Sequence, residues 1–102
     1  MTIQKIAIGL VAVALFLGSV TAHAADLGAG VKAYKRGDYP TALRIFRQLA
    51  DQGDATAQVF LGIMYADGNG VTQDYAVAVK WYRKAADQGQ RHAQYNLGVM
   101  YS

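Results

Sequence analysis

The chain has 102 residues, a net charge of +3 and no cysteine. A chain of this length holds one small domain, and without cysteine it has neither disulfide bonds nor a lipid-modified amino-terminal cysteine. The basic excess is mild and forms no dense stripe, which argues against a nucleic-acid-binding protein.

Residues 1–24 have the pattern of a cleavable signal peptide. Lys5 precedes the apolar run 6–17, and the small residues Ala22 and Ala24 occupy the positions that a signal peptidase reads. A membrane anchor is the alternative, but the apolar run is shorter than the roughly 20 residues that cross hydrocarbon. We therefore expect cleavage after Ala24, a periplasmic or secreted protein, and no stable membrane insertion after cleavage.

The rest of the chain has the apolar spacing of five helices, over residues 27–36, 39–51, 55–66, 73–88 and 92–101. Gly53 and Gly89 end the second and fourth helices, and the two-residue turns that they form make the flanking helices antiparallel neighbours. The loop 67–70 is rich in Gly and Asn, which adopt positive backbone dihedrals easily. It lacks the later acidic ligands of a calcium loop, so we expect no metal there.

An internal repeat organises the chain. Residues 50–66 and 86–102 are two copies of one segment, thirty-six positions apart, and ten of their seventeen residue pairs are identical. One complete unit contains the framework Ala57, Leu61, Gly62, Tyr65, Gly68, Gly70, Val71, Asp74, Ala78, Trp81, Ala85, Ala86 and Gly89. This framework resembles the Sel-one-like repeat (SLR) family, a relative of the tetratricopeptide repeats, and residues 30–46 resemble a tetratricopeptide motif.

The period and the short turns predict an all-α fold, an α/α solenoid of antiparallel helix pairs wound as an SLR/TPR-like right-handed superhelix. Residues 25–54 form a TPR-like first repeat, 55–89 a complete SLR repeat, and 90–102 the first helix of a third, incomplete repeat. Leu97, Val99 and Met100 then have no following helix to cover them. Two interpretations remain open: the sequence is a piece of a longer array, or the fifth helix is an imperfect cap.

Catalysis is not expected. After residue 24 the chain has one serine, at its last position, one histidine and no cysteine, and its seven aspartates are scattered over caps, loops and termini. We therefore expect no enzyme, no cofactor and no metal site. Some cysteine-rich exported SLR proteins are linked to penicillin binding or hydrolysis, but this sequence lacks the cysteines of that group.

The family resemblance implies a protein-interaction module, such as an adaptor, a regulator or an assembly factor. Its partner would be another protein or a peptide, held in a concave groove that the first helix of each repeat, the A helix, lines. The apolar positions with an aromatic residue near either end suit anchoring of partner side chains, and Lys35 and His92 suit a carboxylate or a carbonyl. The groove residues that the resemblance implies are Leu27, Val31, Tyr34, Lys35, Thr56, Val59, Ile63, His92, Tyr95 and Val99. Plain packing is the alternative for part of this set: neighbouring helices would then cover Val31, Val59 and Ile63, whereas Tyr34 and Tyr95 are large and have polar tips that are not easily buried.

A second function uses the convex face. The second and fourth helices match at the thirty-six-residue period, which aligns Arg44 with Lys80 and Arg47 with Arg83 in a basic ridge. Such a ridge suits an envelope-associated or glycan-associated scaffold. Ordinary solvation of an exposed helix face explains the same pattern.

Overall fold

The computed structural model describes residues 23–101, and every regular element within that range is a helix. The helices are α1 (residues 23–35), α2 (Tyr39–Asp51), α3 (Ala55–Asp67), α4 (Tyr75–Asp87) and α5 (Arg91–Tyr101). The predicted bounds agree to within two residues, except that α1 begins before residue 27. Residues 1–22, which hold nearly all of the predicted signal peptide, lie outside the described residues.

Local sequence signals set the ends of these helices. The side chains of Asp54, Asp74 and Gln90 each accept a hydrogen bond from the backbone N–H three residues later, at 2.8, 3.2 and 3.0 Å. These bonds satisfy donors that the first turn of a helix leaves without a partner. Gly53 and Gly89 follow α2 and α4 with φ of 96° and 82°, a conformation that glycine adopts at little cost.

The first core lies between α1, α2 and α3. An aromatic cluster joins these helices: the Tyr34 ring meets Tyr39 and Phe60 edge-on, with centroids 5.6 and 5.4 Å apart, and Phe46 stacks on Phe60 at 4.5 Å. Small and aliphatic side chains fill the remaining space, and the buried members are Ala33, Ala42, Phe46, Leu49, Ala50, Ala57, Leu61 and Met64.

The second core lies between α3, α4 and α5, and it contains Val59, Ala78, Tyr82, Ala85 and Ala93. Its tightest point is the crossing of α3 and α4, where the Tyr82 ring lies over Gly62. A Cβ atom at Gly62 would overlap with Cε1 and Cδ1 of that ring. The first core has the same arrangement, because a Cβ at Gly30 would come within 2.8 Å of Phe46 Cε1.

A hydrogen bond from a glutamine side chain to the backbone also recurs, buried in the first copy and exposed in the second. Gln58 is 4% exposed and donates to the carbonyl of Ala50 at 3.2 Å, and Gln94, thirty-six residues later, donates to the carbonyl of Ala86 at 3.4 Å. Each bond ties an A helix to the end of the helix before it. Since α3 packs against both α2 and α4, and α4 packs against both α3 and α5, the described chain is an all-α solenoid of helix pairs.

Candidate functional site

The predicted groove residues all lie on α1, α3 and α5, the three A helices. The most accessible are Lys35 at the end of α1 and His92, Tyr95 and Val99 on α5. Tyr95 is 72% exposed and Val99 55% exposed. Among the described residues, the large hydrophobic side chains with high exposure are Tyr95, Val99 and Tyr75 of α4, which is 59% exposed.

The other groove positions are more enclosed. Leu27, Val31 and Tyr34 are partly buried against the first core, and Ile63 is partly buried against the second. Thr56 has intermediate exposure. These side chains therefore offer edges rather than whole surfaces to a partner.

Val59, a predicted groove position, is covered by packing against neighbouring helices, the alternative that the sequence leaves open for it. Its side chain is 6% exposed and belongs to the second core with Ala78 and Tyr82. The physical reason is the position of α3, which has helices packed on both of its flanks. A side chain at this point of α3 is covered, whereas Tyr95, one period later on α5, is exposed.

The four residues of the basic ridge, Arg44, Arg47, Lys80 and Arg83, are exposed on α2 and α4. Arg47 Nη2 donates a hydrogen bond to the Tyr65 hydroxyl at 3.1 Å, which fixes one guanidinium against α3. Arg44 and Arg47 also border a surface depression along α2, with Leu43 and Asp51.

A surface cavity of about 370 Å³, open to solvent, lies where the carboxyl ends of α3 and α5 meet the amino end of α4. Its walls are part polar and part apolar, and the lining residues are Ala66, Asp67, Gln73, Tyr75, Tyr82, Asn96, Val99 and Met100. Val99 is also a groove residue, so the cavity is continuous with the predicted groove. We call it the junction cavity.

Hydrogen bonds order part of this lining. Gln73 Nε2 donates to the carbonyl of Ala66 at 2.7 Å and to the Tyr75 hydroxyl at 3.0 Å. The Gln73 side chain therefore uses its donors within the wall and keeps its amide oxygen as an acceptor.

Asp67 supplies negative charge at the mouth of the cavity. Burial of Tyr82, which is 3% exposed, raises the pKa of its hydroxyl to about 12, with a further contribution from the Asp67 carboxylate. A side-chain hydrogen bond with Asn96 acts in the opposite direction. Burial and the same carboxylate also raise the pKa of Tyr34. Asp67 thus lies within electrostatic reach of tyrosines in both cores.

Apart from Val99, the residues of the junction cavity are not among the predicted site residues, because the alignment that reveals the cavity comes from the structure. Gly30 and Gly62 occupy matching positions on α1 and α3, since each faces the aromatic ring of the following helix. The offset between these helices is therefore 32 residues, and Tyr34 corresponds to Ala66. Between α3 and α5 the offset is thirty-six, and Phe60 corresponds to Asn96. The second core therefore has Ala66 and Asn96 where the first core has the aromatic rings of Tyr34 and Phe60.

Two absences are observed within residues 23–101. No helix there is long and apolar enough to cross a membrane. No group of three histidine, cysteine, aspartate or glutamate side chains in the same range is arranged to hold a metal ion.

Comparison with known proteins gives one relative with a named role. Over 45 residues the chain is 47% identical to an exopolysaccharide production negative regulator from Rhizobium leguminosarum bv. viciae, a match that covers 44% of this chain and 17% of the relative. In structure, it is similar to a protective antigen present in uropathogenic Escherichia coli strains that displays an SLR fold. That match has a TM-score of 0.71 and 46% identity, over 78% of this chain and 18% of the other.

The chain thus spans less than a fifth of the length of either protein. The model of the Sel1 repeat matches it in three consecutive segments, residues 15–54, 55–90 and 91–102. Because these matches cover most of the sequence, and the fold is that of an SLR protein, the chain belongs to the Sel1 repeat family.

Proposed function

We propose that this chain is an exported, non-enzymatic module that binds a segment of a partner protein in the groove formed by its A helices. Sel1 repeat proteins are protein-interaction modules, which supports the class of function. The signal-peptide pattern of residues 1–24 supports export to the periplasm or beyond. The relative named as a negative regulator supports a regulatory role among adaptor, regulator and assembly factor.

The exposed apolar side chains on α5 support the proposal most directly. Two of the three highly exposed large hydrophobic side chains in the described chain, Tyr95 and Val99, are predicted groove residues on α5. Contiguous exposed apolar side chains mark interaction sites, and a fully buried side chain of this size contributes about 1.5–3 kcal/mol to binding. A partner segment that covers both residues would gain hydrophobic anchoring on α5.

The polar groove residues would orient the segment. Lys35 and His92 are both exposed. They lie on α1 and α5, the first and the last of the three A helices. Lys35 suits a carboxylate, and a histidine donates to a carboxylate or a carbonyl. Since such contacts are solvated, they favour one direction of binding and add less affinity than the apolar anchors.

The test is affinity capture with crosslinking from the native envelope fraction, with three forms of the full chain. The groove variant carries Lys35→Gln and Tyr95→Ser, two exposed positions where substitution leaves both cores intact. The matched control carries Arg44→Gln and Lys80→Gln on the other face. We expect the groove variant to lose the captured partner and the control to retain it. Capture of the same partner by the groove variant at wild-type yield would show that the groove is not the site.

The same experiment tests the alternative, an envelope-associated or glycan-associated scaffold that uses the basic ridge. The depression beside Arg44 and Arg47 favours this alternative, because it offers two guanidinium groups next to an apolar surface from Leu43. The control with Arg44→Gln and Lys80→Gln removes two charges of the ridge. If this control loses its association with envelope fractions at low salt, and the groove variant keeps it, the ridge rather than the groove is the binding site.

A further inference from the structure

The junction cavity exists because two aromatic rings of the first core have no counterpart in the second. In the first core Tyr34 and Phe60 contact one another, with centroids 5.4 Å apart, and fill the space between α1 and α3. The corresponding residues between α3 and α5 are Ala66 and Asn96, and both border the cavity. The second junction has thus lost two rings from the hydrophobic filling that the first junction has.

The polar groups that line the junction cavity are mostly acceptors. Asp67 contributes a carboxylate, and Gln73 contributes the amide oxygen that its own hydrogen bonds leave unused. Asn96, which is hydrogen-bonded to Tyr82, adds a second amide. A ligand group that brings several donors and a positive charge matches such a lining.

No cation of the described chain neutralises Asp67. The ion pairs within residues 23–101 are His23 with Asp54, at 2.8 Å, and Arg36 with Asp38, at 3.7 Å. Neither involves Asp67, whose charge is instead felt by the hydroxyls of Tyr34 and Tyr82. A cationic group that enters the cavity would therefore meet a carboxylate without displacing an existing partner.

We propose that the junction cavity binds an arginine side chain of the partner segment. The proposal rests on the proposed function, since Val99 belongs to both the groove and the cavity wall. Val99 and Met100 would cover the methylene stem, and the guanidinium would lie at Asp67 and the two amides. A planar guanidinium has five donors in a fixed geometry and stacks on aromatic rings such as Tyr75, whereas lysine has one compact ammonium.

The test measures binding of fluorescein-labelled alanine pentapeptides to the full chain by fluorescence anisotropy. One peptide has arginine at its centre, and the second has citrulline, which has the same shape without the charge. We expect the arginine peptide to bind at least about tenfold more tightly, because a charge-assisted hydrogen bond is roughly twice as strong as a neutral one. The proposal would be overturned if the two peptides bound with equal affinity. It would also be overturned if the arginine peptide did not bind at a protein concentration of several millimolar.

Two variants locate the effect. Asp67→Asn should reduce the affinity for the arginine peptide to that for the citrulline peptide. Asp87→Asn makes the same charge change at the carboxyl end of α4, away from the cavity, and should leave the affinity unchanged. Equal losses in both variants would show non-specific attraction and overturn the site. Asn96→Phe restores the ring that Phe60 supplies in the first core, so it should raise the melting temperature and block the peptide. Asp67→Asn decides alone if Asn96→Phe does not fold, because Asp67 is exposed.

The two proposals fail separately. If partner capture depends on Lys35 and Tyr95 but the arginine and citrulline peptides bind alike, the groove stands and the cavity is not an arginine site. If the arginine preference depends on Asp67 but the groove variant captures the partner at wild-type yield, the cavity is an arginine site and the proposed function is wrong.

Discussion

Tyr82 is the residue whose ionisation the fold opposes most clearly. Its hydroxyl has a pKa of about 12, against an ordinary value of 10.0, because burial and the nearby Asp67 carboxylate disfavour the phenolate. A pKa raised in the folded state contributes stability that is fully present below the unfolded value and is lost as pH rises through the folded value. We therefore expect the free energy of unfolding to fall between pH 10 and about pH 12.

The measurement is urea denaturation at closely spaced pH values, for wild type and Tyr82→Phe. Phenylalanine keeps the ring over Gly62 but cannot ionise, so the variant should lose less stability over this pH range. The comparison separates Tyr82 from Tyr34, whose pKa is raised in the same direction. Parallel loss of stability in the two proteins would contradict the assignment to Tyr82.

At the scale of the helix, Gly62 and Gly98 give a matched pair. They are thirty-six residues apart and both follow a leucine, but only Gly62 has the ring of Tyr82 against it, while nothing lies within 4 Å of a Cβ at Gly98. We expect Gly62→Ala to destabilise the protein by about 1–3 kcal/mol through overpacking. Gly98→Ala should be neutral or stabilise it by up to about 1 kcal/mol through helix propensity.

Urea unfolding midpoints of the two variants check this prediction. The chemical change is the same in both, so the difference between them isolates the contact with Tyr82. Equal effects of the two substitutions would mean that α4 does not press against α3 as closely as the structure shows.

The helices themselves were predictable because their signals are local. Apolar spacing, the capping residues Asp54 and Asp74 and the stop at Gly53 act within one or two turns, and the predicted bounds followed them closely. The burial of Val59 could not be predicted in this way, because the exposure of a side chain depends on neighbours that come from other parts of the chain. The same residue position is buried on α3 and exposed on α5, so the pattern of one helix could not decide it.

At the scale of the molecule, the sequence shows the repeat, but the junction cavity depends on how the spacing of the repeat varies. The offset between matching positions is 32 residues from α1 to α3 and thirty-six from α3 to α5, since the loop after α3 is longer. Only with both offsets do Ala66 and Asn96 align with Tyr34 and Phe60. The cavity depends on that three-dimensional alignment, which explains why it was missed while the solenoid was predicted correctly.

A solenoid is stabilised by contacts between neighbours, so local stability should follow the number of neighbours that each helix has. In the described chain α3 contributes side chains to both cores, whereas α5 contributes only to the second core. Native-state hydrogen exchange should therefore protect α3 more strongly than α5. The amides of Gly62 and Gly98 are the best comparison, because both follow leucine and have similar intrinsic exchange rates. We expect Gly62 to exchange at least about tenfold more slowly, a difference of about 1.4 kcal/mol in opening free energy. Equal protection at the two glycines would show that the helices unfold as one unit, and the graded stability inferred from their packing would then be wrong.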